Sequence, residues 1–567
     1  MITTLDWIVI LAYFLFIAAV GLIVGLKVKD TGHYFLGRRE FSKWLMIGQS
    51  FSVGTHPEMP VSLAGAVSNI GFSGIWFQWK NLFATPFFWI FAPIFRRIRR
   101  TTIAELTEDR YGVWMGRIYS VFALIFFTIN AAAMLKGAGK VISQAVGGQF
   151  GVNEIVIAMT VIFVLYSFIG GLVASAWTDV FQGFLIIVLS FMLIPLGWSL
   201  VGGLDGMKQS LEAYKVSLAA PEGIGVWFIA MLTINGLIGI MAQPHMLAAV
   251  GTGKDEYSCR VGFFYGNFVK RVCTVGWAFV GLIVAALLVN GTFGVNQLAD
   301  VEDAFGFACR QLLFPGALGL LIASVLAATM AASSAFMVNS GALFTEGLYR
   351  RHLVKDRPDG HYLWVGRLSG FLITMLAVLY AVLLINRVLY SFLLTETMAT
   401  FMGISILGGM IWRRATRWGA LASLLVAFAT NFAVYRWREQ RFDHWDPTVF
   451  LIALVAGIAA LVLVSLATRP EPSAAMDSFF TRLETPTELP GRTGDPLATA
   501  ERQDRTEIGR ATAAAGQQLL LLNLIAPMRA TYGHSFWRSY GVDLRGFAMG
   551  LLWSLLLVGL TWLILRL

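Results

Sequence analysis

One short stretch of the sequence combines titratable side chains with residues that break helices. The run Gly54-Thr55-His56-Pro57-Glu58-Met59-Pro60 holds a histidine and a glutamate among two prolines and a glycine. Proline lacks an amide donor and clashes with the preceding turn, so a helix across this run loses regular hydrogen bonds. The freed backbone groups, with His56 and Glu58, could hold a solute or a cation, or carry a proton. The alternative is a kinked helix with an ion pair.

Other charged and amide side chains interrupt long apolar stretches. Gln78, Lys80 and Asn81 share the next stretch, and Lys136 lies deep in the one after it. A charge in a bilayer is costly unless it is paired or hydrated, so either lysine could pair with Glu58. A structural salt bridge and a contact with an anionic solute both remain open.

Two acidic residues and a tract of small residues lie further along the chain. Asp179 is predicted at the start of its stretch, where it could also act as a helix cap, and Glu396 lies inside Thr395-Glu396-Thr397. The run 327–334 contains only Ala, Thr, Met and Ser, which favours close helix packing. No G-x-x-x-x-G-K-[ST] loop occurs, so coupling to ATP within the chain is not expected.

The composition indicates which kind of secondary structure positions these residues. Of 567 residues, 57% are hydrophobic and 13% are charged, and the mean hydropathy is +0.70. Apolar runs of about 20 residues, the length that spans a bilayer, recur along the chain. Lipid offers the backbone no hydrogen-bond partner, so these runs are predicted as helices; a β-barrel would show short alternating segments instead.

The apolar runs predict an all-α polytopic membrane protein of about fourteen transmembrane helices. Their predicted bounds are 4–26, 44–70, 72–95, 114–147, 153–172, 177–201, 223–247, 261–290, 314–347, 361–385, 387–411, 416–435, 447–468 and 546–566. The first run has no basic n-region or cleavage site, so it is interpreted as a retained helix. From 469 to 545, Pro, Thr, Glu, Arg and Gly dominate and indicate a partly flexible cytoplasmic segment. Within it, 518–528 could lie on the membrane as an amphipathic helix or pack against the protein.

The charges predict orientation and exclude some functions. Clusters such as Arg96, Arg97, Arg99 and Arg100 follow odd-numbered spans, so the positive-inside rule predicts extracytoplasmic termini in a protein of the cell (inner) membrane. Arg436, Arg438 and Arg441 fall on the other side and conflict with this rule. The net charge of +10 arises mainly in loops facing anionic lipid, so no nucleic-acid partner is expected. Three scattered cysteines indicate neither a disulfide framework nor a zinc site.

Three ordered motifs resemble the sodium:solute symporter family of sodium/glucose, sodium/proline and related transporters. They are Tyr166 to Leu172 followed by Trp177 to Gln182, then Gln243-Pro244-His245, and finally Phe344 to Arg350. The resemblance implies a LeuT-like core of two inverted five-helix repeats with extra helices at both ends. The implied divisions are 1–43 (first helix and loop), 44–201 and 202–412 (repeats), 413–468 (two further helices), 469–545 and 546–567 (last helix).

The resemblance also implies where a coupling cation and a solute would bind. The family's sodium position corresponds to Ser52 and Thr55 on the first broken helix and to Ala328, Ala331 and Ala332 on the ninth span, with a second position near Asp179. Because Ala331 and Ala332 lack the family's hydroxyls, the site could be modified. The implied solute contacts, together with the charged candidates above, are His56, Glu58, Met59, Gln78, Lys80, Asn81, Gln243 and Glu396.

Three hypotheses follow for a carrier that moves a small organic solute and a cation across the bilayer by alternating access. The first keeps Na⁺ coupling, with Ser333, Ser334 or Asp179 completing the site. The second replaces Na⁺ by a proton or by a fixed lysine ammonium, with His56, Glu58, Lys80 or Lys136 supplying the charge. The third is a sensor with a transporter fold. No organic cofactor or enzymatic activity is expected, Glu58 and Lys80 are the leading coupling candidates, and the solute's identity and the oligomeric state stay open.

Overall fold

The computed structural model describes residues 2–26, 30–385, 387–439, 445–488, 497, 505–525 and 532–567. Some residues of the sequence-based predictions lie outside this range: Lys27, Lys29, Arg441, Asp443, the part of the flexible segment at 489–496, and 526–528. Among the described helices, ten are long and apolar enough to cross a membrane by length and composition. Four more segments, each built from shorter helices, complete the fourteen predicted spans.

The first repeat is built from helices interrupted at defined points. Its helices are α3 (Lys43–Gly54), α4 (Glu58–Ile70), α5 (Trp76–Trp79), α6 (Thr85–Arg97), the short α7 (Ile103–Tyr111), α8 (Val113–Ala145), α9 (Val152–Phe191) and α10 (Leu193–Leu200). A turn at Gly171, with φ of 56°, divides α9 into two spans. A β-carbon at Gly171 would lie 2.4 Å from the Tyr34 ring, so both the backbone angle and the close approach require glycine here.

The second repeat follows the short α11 (Gly203–Ser210) and has the same kind of interruption. Its helices are α12 (Val226–Gly239), α13 (Met246–Val250), α14 (Glu256–Val289), α15 (Ala304–Leu312), α16 (Ala317–Ala342) with a wider π-type continuation over Leu343–Leu353, α17 (Asp359–Leu383) and α18 (Val388–Ile411). The Gln243-Pro244-His245 motif lies between α12 and α13, so each repeat begins with a broken helix. This arrangement confirms the predicted LeuT-like fold class, whereas the repeat boundaries at 201 and 412 stay a prediction.

Additional helices flank the repeats. They are α1 (Thr4–Gly25), α2 (Thr31–Leu36), α19 (Arg417–Trp437), α20 (Pro447–Ala467), α21 (Ser473–Glu484), α22 (Arg505–Ala514), α23 (Phe536–Ser539) and α24 (Gly541–Arg566). α1 packs on α9 and α16, and its buried Asp6 accepts hydrogen bonds from the amides of Gly316 and Gly319 at the start of α16. The carboxylate thus satisfies amides that a helix start leaves without partners.

Part of the segment predicted to be flexible is a packed helix. Phe479, Phe480 and Leu483 on α21 are buried, so apolar contact holds this helix against the loops between the spans. Leu519, Leu521 and Leu522 are also buried, which favours packing against the protein over a membrane-surface helix for the described part of 518–528. The partly flexible character of 469–545 stays a prediction, and within it this small apolar face holds 473–484 as a packed helix.

Residues 473–488, which we call the C-terminal clasp, connect several loops on the side of the molecule that carries the arginine clusters. Arg97 Nη1 donates to the carbonyls of Leu483 and Glu484, and the Arg97 guanidinium also pairs with Glu256 at 2.9 Å. The Thr487 amide donates to Glu256 at 2.9 Å. Arg482 Nη1 lies 2.5 Å from Asp109 Oδ2. The clasp therefore links α6 and α14 to the short helix α7 that precedes α8.

The Asp109 contact predicts how the clasp responds to pH. Burial alone would raise the pKa of Asp109, but hydrogen bonds and charges from Arg100 and Arg482 hold this pKa below its ordinary value. A carboxylate with a lowered pKa stabilises the folded state at neutral pH and loses that contribution as pH falls through the folded pKa. We expect limited proteolysis of the clasp to be slow at pH 7 and to accelerate below about pH 4.

An Asp109→Asn variant should expose the clasp to protease already at pH 7, because the amide keeps the shape and loses the charge. Asp205→Asn, on an exposed side chain of α11, is the matched control and should leave the cleavage rate unchanged. Equal cleavage of Asp109→Asn and the unmodified protein at pH 7 would contradict this role of Asp109.

Candidate functional site

The predicted interruption of the second span is present between α3 and α4. α3 ends at Gly54, Thr55 takes an extended conformation with φ of −117° and ψ of 93°, and α4 starts at Glu58. The carbonyls left free by this break find side-chain partners. Lys270 Nζ donates to the Gly54 carbonyl, and the Val53 carbonyl lies 2.8 Å from His56 Nε2. The break therefore presents backbone oxygens to cationic and polar groups inside the bundle.

His56 and Glu58 form a buried pair across the break. His56 Nδ1 lies 3.0 Å from Glu58 Oε1, and the second oxygen, Oε2, has no hydrogen-bond partner among the described residues. The His56 ring meets the Phe336 ring edge-on at 5.7 Å between centroids. The prediction that a lysine pairs with Glu58 is wrong, because the turn through Pro57 folds His56 back over Glu58. The unpartnered oxygen is available to a ligand.

Close packing fixes the position of Glu58. A β-carbon on Gly137 of α8 would lie 2.6 Å from Glu58 Cβ and 2.7 Å from Glu58 Cα, so α4 and α8 touch through backbone atoms here. Gly137→Ala should push α4 away and cost about 1–3 kcal/mol of stability, together with transport, because the clash involves main chain. Melting temperature in detergent and uptake by proteoliposomes measure both effects.

Gly559 of α24 offers a matched control for the Gly137 prediction. It is also a helical glycine, and no atom lies within 4 Å of the β-carbon that an alanine would add. Gly559→Ala should leave transport intact and keep or slightly raise the melting temperature. A Gly137→Ala variant that behaves like Gly559→Ala would show that α4 can move freely relative to α8.

Lys80 and Glu396 form a second buried pair. Lys80 Nζ lies 2.9 Å from Glu396 Oε2, in a geometry outside normal hydrogen-bond angles, and 4.6 Å from the centre of the Phe392 ring. Gln243, in the break between α12 and α13, donates from Nε2 to Glu396 Oε1 at 2.9 Å. Lys80 follows α5 directly and reaches α18, so it pairs with Glu396 and not with Glu58. The pair connects the second broken helix to α18.

The remaining predicted solute contacts differ in their surroundings. Met59, Gln78 and Asn81 are buried, and Asn81 Oδ1 has no hydrogen-bond partner among the described residues. Lys136 does not belong to this region, because its ammonium bonds Asn153 Oδ1 at 3.0 Å near the surface. Lys136 lies nine residues before the end of the 33-residue α8, where its side chain reaches α9, and its depth in the bilayer stays a prediction.

Sequence reasoning missed two cations on α14. Lys270 and Arg271 are almost fully buried, at 7% and 1% exposure, and Arg271 Nη1 donates to the Gln78 carbonyl at 3.2 Å. Both residues stand inside the predicted span 261–290, where any ionisable side chain is a functional candidate. The signal was therefore present: the same rule that selected Lys80 and Lys136 selects this adjacent pair.

The predicted cation position lies where α3, α9 and α16 meet. Ser52 Oγ donates to the Asp179 main-chain carbonyl at 2.5 Å, and Thr55 Oγ1 donates to the Phe51 carbonyl at 2.6 Å. Ala328, Ala331 and Ala332 on α16 are buried and supply no side-chain oxygen. One turn away, the hydroxyls of Ser334 on α16 and Ser175 on α9 lie 3.0 Å apart. The polar contact between α9 and α16 thus uses Ser334 instead of positions 331 and 332.

Asp179 is the least satisfied acidic group of this region. It is fully buried, Ser175 is its polar neighbour one turn earlier, and neither carboxylate oxygen makes a hydrogen bond of normal geometry within the described residues. The prediction that Asp179 begins its span or caps it is wrong, because the helix restarts at Gly171 and Asp179 lies two turns inside. Ser333 Oγ, on the facing helix, is also buried and has no hydrogen-bond partner in the part of the chain that the structure describes. Such a buried carboxylate needs either a compensating charge or a proton.

Two inverted repeats, each opening with a broken helix whose interruption holds polar groups, define a secondary transporter. Known structures agree on the fold: a substrate-bound, outward-open Na⁺-coupled sialic acid symporter aligns with a TM-score of 0.69 at 16% identity, covering 82% of this chain and 98% of that one. A nucleobase-cation-symport-1 family transporter aligns with a TM-score of 0.50 at 14% identity, covering 79% and 98%.

The chain belongs to the sodium:solute symporter family, whose model matches residues 34–427. Its relatives include a sodium/proline symporter of Salmonella typhimurium, 26% identical over 484 residues that cover 82% of this chain and 93% of the relative. The osmoregulated proline transporter OpuE of Bacillus subtilis is 26% identical over 487 residues, covering 82% and 96%. The protein is thus an integral membrane protein and a secondary active symporter, as its sequence predicted.

Proposed function

We propose that this protein couples Na⁺ to the uptake of a small organic solute, with Na⁺ bound by Asp179 and the hydroxyls of Ser175 and Ser334. The single observation that carries this proposal is the buried Asp179 carboxylate, whose oxygens make no hydrogen bond of normal geometry within the described residues. A hard monovalent cation prefers oxygen ligands, and a carboxylate with two hydroxyls offers these. The Ser333 hydroxyl, next to Ser334 on α16, offers a further oxygen.

This position would make Na⁺ binding sensitive to the arrangement of the helices. Ser175 and Asp179 belong to α9, whereas Ser333 and Ser334 belong to α16, so the cation would draw these two helices together. Ser52 ties α3 to the Asp179 main chain, and α3 leads three residues later into the break. Occupancy at Asp179 would therefore bias the position of the broken helix, which is the differential contact that alternating access requires.

The solute would bind beside the two breaks. Polar groups from four elements converge there, and several of their atoms lack partners, including Glu58 Oε2 and Asn81 Oδ1. The proposed contacts are His56, Glu58, Met59, Gln78, Lys80, Asn81, Gln243 and Glu396. Buried polar atoms without partners favour a ligand that supplies their hydrogen bonds.

Uptake by proteoliposomes tests the proposal. A panel of amino acids, carboxylates, sugars and nucleosides is first screened by thermal shift, because a ligand stabilises the state that binds it. Uptake of the best ligand is then measured with equal external Na⁺, K⁺ or choline at matched membrane potential. We expect at least tenfold faster uptake with Na⁺. Equal rates in all three salts would exclude Na⁺ coupling, and stimulation by a pH gradient alone would favour a proton carried by His56 and Glu58.

A further inference from the structure

Five charged side chains are buried around the two breaks, and their charges do not cancel. Lys80, Lys270 and Arg271 contribute three positive charges, while Glu58 and Glu396 contribute two negative ones, and each side chain is less than one tenth exposed. Lys270 lies close enough to the other four to interact with them electrostatically. Counted over these five side chains alone, the cluster carries one excess positive charge.

The excess charge lies on α14. Glu396 is occupied by Lys80 and Gln243, and Glu58 is occupied by His56. Within the described residues, Lys270 and Arg271 have no carboxylate at ion-pair distance and bond only to the main-chain carbonyls of Gly54 and Gln78. Arg271 Nε has no partner among these residues. Carbonyl dipoles stabilise a buried cation only in part, so this pair lacks a counter-charge.

We infer that the solute is a carboxylate-bearing molecule whose acidic group binds Lys270; this inference rests on the proposed solute site at the breaks. The Lys270 ammonium contacts the break itself through Gly54 and has further N–H donors to offer. Arg271 points elsewhere, because successive residues on a helix diverge by about 100°. It meets α5 at Gln78, so Arg271 acts as a positioning residue that holds α5 and adds positive potential.

The bound carboxylate would also explain why Lys270 contacts a backbone carbonyl. An amide side chain could donate a hydrogen bond to the Gly54 carbonyl without bringing a charge into the bundle. A lysine with no other role at the break would carry a large desolvation cost. A carboxylate between Lys270 and the neighbouring cations removes this cost and completes the charge balance. An uncharged solute would not offset this desolvation cost, so the cluster discriminates against neutral molecules.

Matched acid and amide ligands test the inference on the unmodified full-length protein. Proline with prolinamide, lactate with lactamide, and a sugar acid with its parent sugar are titrated in thermal-shift and direct binding measurements, each in Na⁺ and in K⁺. We expect binding by at least one acid and roughly 10- to 100-fold weaker binding by its amide or neutral partner, the effect of losing a charged hydrogen bond. A neutral member that binds as tightly as its acid would overturn the inference.

Variants at Lys270 locate the contact. Lys270→Met should weaken binding of the acid at least tenfold and leave weak binding of the neutral partner unchanged, whereas Lys270→Arg should restore part of the preference. Lys136→Met, a lysine near the surface, is the control and should bind like the unmodified protein. An unchanged acid preference in Lys270→Met would place the carboxylate elsewhere and contradict the inference. If that variant fails to fold, the acid and amide comparison on the unmodified protein decides.

The two salts separate this inference from the proposed function. Acid-selective binding that is equal in Na⁺ and K⁺ would support the carboxylate and remove Na⁺ coupling. Na⁺-dependent binding of a neutral sugar would support Na⁺ coupling and contradict the carboxylate.

Discussion

Asp179→Asn should abolish Na⁺ stimulation of uptake and at the same time raise the stability of the protein in Na⁺-free buffer. The two effects have one cause. The structure buries the Asp179 carboxylate without a hydrogen bond of normal geometry among the described residues. Without Na⁺ this group must keep an uncompensated charge or take up a proton, and the isosteric amide avoids both costs. With Na⁺ present, the carboxylate gains its counter-charge, and the amide offers none.

Melting curves and uptake assays check the Asp179 prediction together. The unmodified protein should melt at a higher temperature in Na⁺ than in K⁺, by several degrees at saturating Na⁺. Asp179→Asn should give the same melting temperature in both salts, and Na⁺-dependent uptake should fall at least tenfold. Asp205→Asn, on an exposed acid, is the control and should keep the Na⁺ effect. A Na⁺-dependent melting temperature in Asp179→Asn would remove Asp179 from the cation site.

Removing either partner of the Lys80 and Glu396 pair should destabilise the protein by about 3–5 kcal/mol, because the other charge stays buried without its counter-ion. Lys80→Met leaves the Glu396 carboxylate with Gln243 alone, and Glu396→Gln leaves the Lys80 ammonium against the Phe392 ring. The double variant Lys80→Met/Glu396→Gln removes both charges, so it should recover most of the lost stability. Transport should stay impaired in all three variants.

A double-mutant cycle measures the coupling of this pair. Free energies of unfolding are compared for the unmodified protein, both single variants and the double variant. The exposed pair of Arg413 and Glu484, with side chains 55% and 39% exposed and 2.6 Å between Nη2 and Oε1, is the matched control. Its cycle should give no more than about 1 kcal/mol. Additive effects at Lys80 and Glu396 would show that the two charges act independently.

Local sequence signals predicted the positions where helices break, but not which side chains meet. Pro57 and Pro60 predict the interruption after Gly54 because proline cannot continue the backbone ladder. The partner of Lys80 depends on how α5 approaches α18, which is set by packing between segments more than 300 residues apart. The sequence analysis considered only Glu58 as a partner for the lysines, and the structure pairs Lys80 with Glu396 instead.

The predicted position of Asp179 at the start of its span was also wrong. The sequence suggested that its span begins at 177, because Gly170 and Gly171 were assigned to the previous helix and the next residues to a loop. The structure instead turns sharply at Gly171 and restarts at once. The turn brings Gly171 against the ring of Tyr34, which is 137 residues earlier in the chain, so no local pattern predicts this contact.

The sequence by itself determined that this protein is a bundle of membrane-spanning helices with an interrupted second span, because hydrophobic length and proline act locally. It also determined the family, through motifs in fixed order. Only the tertiary structure decided that Lys80 pairs with Glu396 and that Lys270 and Arg271 belong to the same cluster. Ion pairing inside a bilayer depends on distances of a few ångströms between helices, and these distances are fixed by packing along whole helices, not by any short run of residues.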